Sequence, residues 1–85
     1  MRLPKKINLG CGNIVLIKEV QRSVIQAAAG VDVEAFWSVD APDAASHCGV
    51  IMIDQTLPLG RKQYVLYHEL AHAVNDIMYW VRDRI

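Results

Sequence analysis

Three residues near the end of the chain are of the right types and spacing to do chemistry together. They are His68, Glu69 and His72, in the run Tyr67-His68-Glu69-Leu70-Ala71-His72-Ala73. On a helix, residues four apart lie one turn above each other, so both imidazoles point the same way and can reach one ion. Neutral imidazole nitrogen is a good zinc ligand, at about 2.0–2.1 Å. Glu69 follows the first histidine and is displaced around the helix, where it reaches a metal-bound water rather than the metal. There it would act as general base on a water whose pKa the ion has lowered towards about 7. The spacing His-Glu-x-x-His is suited to metal-assisted hydrolysis and matches the signature of zinc peptidases. The competing reading is an exposed helix face that carries two histidines and a glutamate and no metal.

The motif needs a helix whose opposite side is anchored. From Arg61 onward, Leu66, Leu70, Ala73, Ile77 and Val81 recur at spacings of four, three, four and four. That is one apolar stripe on a helix facing a core. The stripe predicts a helix from near Leu59 to Arg61 as far as about Trp80, with Gly60 as a weak cap. His68 and His72 fall nearly opposite the stripe, with Asp76, Tyr79 and Asp83 close to that second face and Glu69 at its margin.

The residues ahead of this helix read mainly as strands. Ile7 to Cys11 and the β-branched run Ile14 to Val20 flank a Gly12-Asn13 turn signal and predict a hairpin. Gln21 to Gly30 reads either as a short helix ending at Gly30 or as a continued strand and loop. Val31 to Val39 alternates as a strand, Asp40 to His47 is loop chemistry, and Gly49 to Asp54 is a clear short strand. The expected fold class is α+β: a small, mainly antiparallel sheet of three or four strands covered by a long C-terminal helix that carries the motif.

Composition narrows the function classes. Eighty-five residues with 53% hydrophobic and 21% charged side chains make one small globular domain. A formal net charge of zero offers no electrostatic footprint for nucleic acid, and it leaves little self-repulsion against self-association. The N-terminal residues are basic, but no apolar run follows, so no signal peptide is expected. No apolar run is long enough to cross a bilayer, which makes the cytoplasm the expected compartment. Cys11 and Cys48 lie far apart and belong to no metal-binding spacing, so both are expected as reduced thiols.

The stretch Gly49-Val50-Ile51-Met52-Ile53-Asp54 followed by a loop and Tyr64 to Val74 resembles small zincin-type metallopeptidases of phage and prophage genes, akin to the ImmA/IrrE-type peptidases. The shared pattern is a short strand ending Ile-x-Ile-Asp, a loop, and a helix carrying His-Glu-Leu-x-His-Ala. It covers about the last forty residues, and the start of the chain is compatible but far less specific. The resemblance implies that His68 and His72 bind Zn2+ and that Glu69 is the catalytic base. It also implies that Val50 to Ile53 is a sheet edge along which a peptide or protein substrate pairs by strand addition.

The chain departs from the family at the third ligand. A catalytic zinc takes three protein ligands, and in this family the third is a glutamate on a later helix. No glutamate follows Glu69, and the later carboxylates are Asp76 and Asp83. On a straight helix, His68 and Asp76 stand about 12 Å apart along the axis. Their reaches, about 6 and 5 Å, cannot span that gap around a tetrahedral centre shared with His72. Asp76 is therefore a third ligand only if the helix breaks near Asn75. His47 is another candidate, with an exposed loop histidine as its competing reading. Three explanations stand: a longer protein or its truncated form, a homo-oligomer in which another copy supplies the ligand, or a degenerate site.

Among the other residues, Trp37 and Tyr67 are expected to pack in the core and along the helix. Tyr79 could donate to an oxyanion. Arg61, Lys62, Arg82 and Arg84 read as solvated charges bracketing the helix. Two functions follow from the sequence. One is a zinc metallopeptidase domain cleaving peptide bonds. The other is a catalytically incomplete zincin-like scaffold that acts as a phage-type regulator or inhibitor binding module.

Overall fold

A computed structural model describes residues 2–10, 12–39 and 49–83, with the side chains of the last helix described as far as Ile77. The elements run β1 (Lys6–Asn8), β2 (Ile14–Val20), α1 (Arg22–Ala29), β3 (Ala35–Val39), β4 (Gly49–Asp54) and α2 (Leu59–Asp83). The expected α+β architecture is observed: a four-stranded mixed sheet with a long C-terminal helix. The expected loop over Asp40 to His47, Cys11 and Cys48, and the side chains of Tyr79, Trp80, Val81, Arg82, Asp83 and Arg84 lie outside the described residues. Among the described residues, no helix is long and apolar enough to cross a membrane.

The β1–β2 hairpin forms as expected, with Ile7 opposite Val15. Its first strand is shorter than the pattern suggests, because the turn already begins at Asn8. The Asn8 Oδ1 accepts from the Gly10 N–H at 2.8 Å, and Gly10 and Gly12 take φ of 92° and 77°, where a β-carbon is disfavoured. Of the two readings for 21–30, the helix is the one observed. Gly30 ends it at φ 78°, its N–H donating to the Gln26 carbonyl. This left-handed cap turns the chain before β3, so residues 31–34 are not in the strand and Val31 is exposed.

Strand order is β1-β2-β4-β3. β2 and β4 are parallel, Ile17 opposite Ile51, and β4 pairs antiparallel with β3, Trp37 opposite Ile51. The expectation that Val50 to Ile53 forms a sheet edge is therefore overturned: β4 is internal, and among the described residues the edges are β1 and β3.

One face of the sheet builds the core. Val15, Ile17, Ala35, Trp37, Ile51 and Ile53 from the strands meet Val65, Leu66, Ala73 and Ile77 from α2, with Leu70 packed against them. Ile25 of α1 is also fully buried but stands outside that cluster. Gly49 is where the packing is tightest. A β-carbon there would lie 2.1 Å from Trp37 Cη2 and 2.7 Å from the Ser38 carbonyl, so glycine leaves the space the indole fills.

Candidate metal centre

α2 positions every residue of the motif. Its first helical bond runs from the Lys62 N–H to the Pro58 carbonyl. Pro58 thus stands in the capping position and Gly60 inside the first turn, not at the cap. Val65, Leu66, Ala73 and Ile77 are buried against the sheet, which fixes the rotation of the helix about its axis. His68 and His72 are consequently exposed, one turn apart, and Glu69 is half-buried between them and the core.

The two imidazoles converge. His68 Nε2 and His72 Nε2 stand 3.3 Å apart, with ring centroids at 4.9 Å and planes at 76°. Two nitrogens sharing a tetrahedral ion at zinc bond lengths stand about 3.3–3.4 Å apart. The donor set thus fits two sites of such an ion. The same separation accommodates a weak Nε2–H···Nε2 hydrogen bond, with one ring as donor. Among the described residues, no group of three His, Cys, Asp or Glu side chains is placed to hold a metal.

Asp76 has another partner. The Trp37 Nε1–H donates to Asp76 Oδ2 at 2.7 Å, and α2 runs unbroken through Asn75 to Asp83. The helix break on which its candidacy as a third ligand depended does not occur. Continuing the helix keeps Ile77 in the core, whereas a break would expose it. Asp76 joins α2 to β3 instead.

Two further expectations are corrected. Tyr67 is 68% exposed rather than packed. It lies on the outer side of α2, where Tyr67, Leu70, Ala71, Val74 and Asn75 line an open groove of about 530 Å³. Arg61 and Lys62 are bound to the sheet side of the molecule rather than freely solvated. Arg61 grips Glu34 through Nε (3.0 Å) and Nη2 (2.6 Å), and Lys62 Nζ pairs with Glu19. Arg61 also lies over the Tyr64 ring, 4.9 Å from its centroid. The Arg61 hydrogen bonds hold the Glu34 carboxyl below its ordinary range, and Glu34 in turn raises Arg61.

In the sequence Asp54 stands out only as the last residue of the strand that ends Ile-x-Ile-Asp. It is 5% exposed at the end of β4. Its Oδ1 accepts from the Thr56 N–H (2.9 Å) and hydroxyl (2.7 Å), and its Oδ2 from Arg22 Nη1 (2.9 Å). Donation by the Thr56 N–H, then by its hydroxyl, and the nearby Arg22 outweigh burial and lower the Asp54 pKa. Arg22 also donates from Nε to Asp32 at 2.8 Å, and that bond chiefly raises its own pKa. The Asp-x-Thr spacing after a strand was the available signal, since it favours a local side-chain turn. Arg22 carried no such signal, because its partner lies 32 residues away.

Compared with protein-family models, with curated proteins and with solved structures, the chain matches none of them.

Proposed function

We propose that this chain is a zincin-like metallopeptidase domain that hydrolyses peptide bonds with zinc. The observation that carries the reading is the 3.3 Å separation of His68 Nε2 and His72 Nε2, the bite of a tetrahedral ion. His68 and His72 would hold zinc, which when bound supplies Lewis-acid polarisation of a carbonyl and of a coordinated water. Glu69, one residue round the helix from His68, takes the proton of the attacking water on its carboxylate and delivers it to the departing amide nitrogen. β3 takes over the role first assigned to β4: among the described residues its outer edge carries no strand, and it offers that backbone to an extended peptide. The third ligand comes from a further segment of a longer protein or from a second copy in a homo-oligomer.

One observation favours a second reading. Asp76, the nearest carboxylate after the motif, is engaged by Trp37. That supports a catalytically incomplete scaffold serving as a phage-type regulator or inhibitor binding module.

The two readings part on zinc and on Glu69. The first expects stoichiometric zinc by elemental analysis after dialysis, lost in His68→Ala and in His72→Ala. It also expects Glu69→Gln to lower peptide hydrolysis by about 10²–10⁴-fold with zinc retained. A zinc-free, inactive protein whose stability is unchanged in His68→Ala/His72→Ala would overturn it and leave the scaffold reading.

A further inference from the structure

Two contacts tie β3 to the flank of α2 that carries the histidines, and they bracket the pair. At about 100° per residue, Arg61 lies within about 20° of His68 and two turns before it. Asp76 lies about 40° round from His72 and one turn after it. Arg61 holds Glu34, the residue just ahead of β3, through two hydrogen bonds of 3.0 and 2.6 Å. Asp76 accepts the Trp37 Nε1–H at 2.7 Å from within β3. β3 is bonded to β4 along one edge and, among the described residues, has no strand on the other.

The geometry points to Glu34–Arg61 and Trp37–Asp76 as two straps that hold the outer edge of β3 at a set distance along the His68–His72 flank. Glu34, Trp37, Arg61 and Asp76 are then positioning residues. An edge strand has half the ladder of an internal one and opens more readily. The Arg61–Glu34 fork fixes orientation as well as distance, and an N–H to a carboxylate is a charge-assisted bond. The Trp37–Asp76 strap carries more of the restraint. Trp37 is 8% exposed and packed over Gly49, so its indole passes the position of α2 rigidly to the β3 backbone. The Arg61–Glu34 pair is more accessible to water, where ion pairs contribute little. For a peptide added to β3, the straps set which carbonyl faces the histidines; this consequence rests on the metallopeptidase reading.

The experiment compares the 85-residue chain with Asp76→Ala, Asp76→Asn, Trp37→Phe and the Asp76→Ala/Trp37→Phe double variant. Asp76 is exposed, so its replacement leaves the core intact. Amide exchange followed by NMR should speed up about tenfold along β3 in Asp76→Ala and Trp37→Phe, and less than about twofold along β2. Asp76→Asn keeps an acceptor oxygen and should stay within about twofold of the parent, and the double variant should be no faster than either single one. Affinity for zinc alone should change by less than about threefold throughout. In peptide cleavage, KM should rise about tenfold and kcat fall less than about threefold, the signature of lost substrate positioning. Unchanged β3 exchange in both single variants overturns the straps. So does zinc affinity falling about tenfold or more in Asp76→Ala, which would make Asp76 a ligand. A parent that binds no zinc removes the metallopeptidase reading alone, and the exchange result still decides the straps.

Discussion

Replacing Gly49 by alanine tests how Trp37 is seated. The new methyl would stand 2.1 Å from Trp37 Cη2 and 2.4 Å from Cζ3, with the Ser38 carbonyl at 2.7 Å. Ordinary carbon contact is about 3.5–4.0 Å, so the indole must withdraw by roughly 1.5 Å. It cannot do so freely, because its Nε1–H is held by Asp76 at 2.7 Å. Overpacking costs about 1–3 kcal/mol, and losing the indole bond adds about 1 kcal/mol, a value kept low because Asp76 is exposed. The expected destabilisation is about 2–4 kcal/mol, a large share of the ~5–15 kcal/mol that holds a small domain folded. Urea unfolding followed by far-UV circular dichroism measures it. The smaller ring in Trp37→Phe should relieve the clash, so Gly49→Ala in that background should cost at least about 1 kcal/mol less than alone. A cost below about 0.5 kcal/mol, or strict additivity of the two changes, would refute the argument that the glycine exists to admit the indole.

Two other outcomes follow from local chemistry. The folded Asp54 pKa lies below its unfolded value, so its stabilising contribution is complete above the unfolded pKa, about 4, and disappears as pH falls through the folded value. Asp54→Asn should therefore unfold at lower urea than the parent at pH 7, with the gap narrowing as pH falls below about 4; a gap that widens on acidification refutes the assignment. Gly30→Val should cost about 1–2 kcal/mol, since φ is 78° while nothing lies within 4 Å of the added carbon. Gly30→Asn should cost less, because asparagine tolerates that conformation; equal melting temperatures for the two would contradict a backbone origin.

Much of the site was readable because its determinants are local. The spacing of His68 and His72 places both side chains on one flank of any helix, and the Leu66, Ala73, Ile77 stripe turns that flank away from the core. Gly49 to Asp54 could be read with its boundaries, since an apolar run between turn residues bears one interpretation. The ends of β1 and β3 could not, because they are set by the Asn8 side-chain turn and the Gly30 cap rather than by alternation. Tyr67 was misplaced for a related reason. It follows Leu66 directly, and one residue on a helix is about 100° of rotation, enough to carry a side chain from the core to solvent.

The amino-acid sequence alone determined most of the elements, with 21–30 left open between helix and strand, and it determined the apolar face of the last helix and the pairing of two imidazoles one turn apart, because helical and strand periodicities are properties of neighbouring residues. Only the tertiary structure decided that β4 lies between β2 and β3, and so that β3 holds the edge. Strand alternation specifies which face of a strand is apolar and is silent on which strand lies beside it. The same holds for Asp76. Its distance from the histidines along the helix could be worked out beforehand, but its partner is Trp37, 39 residues earlier. That contact exists because the sheet brings β3 across the helix flank, and no local pattern encodes it.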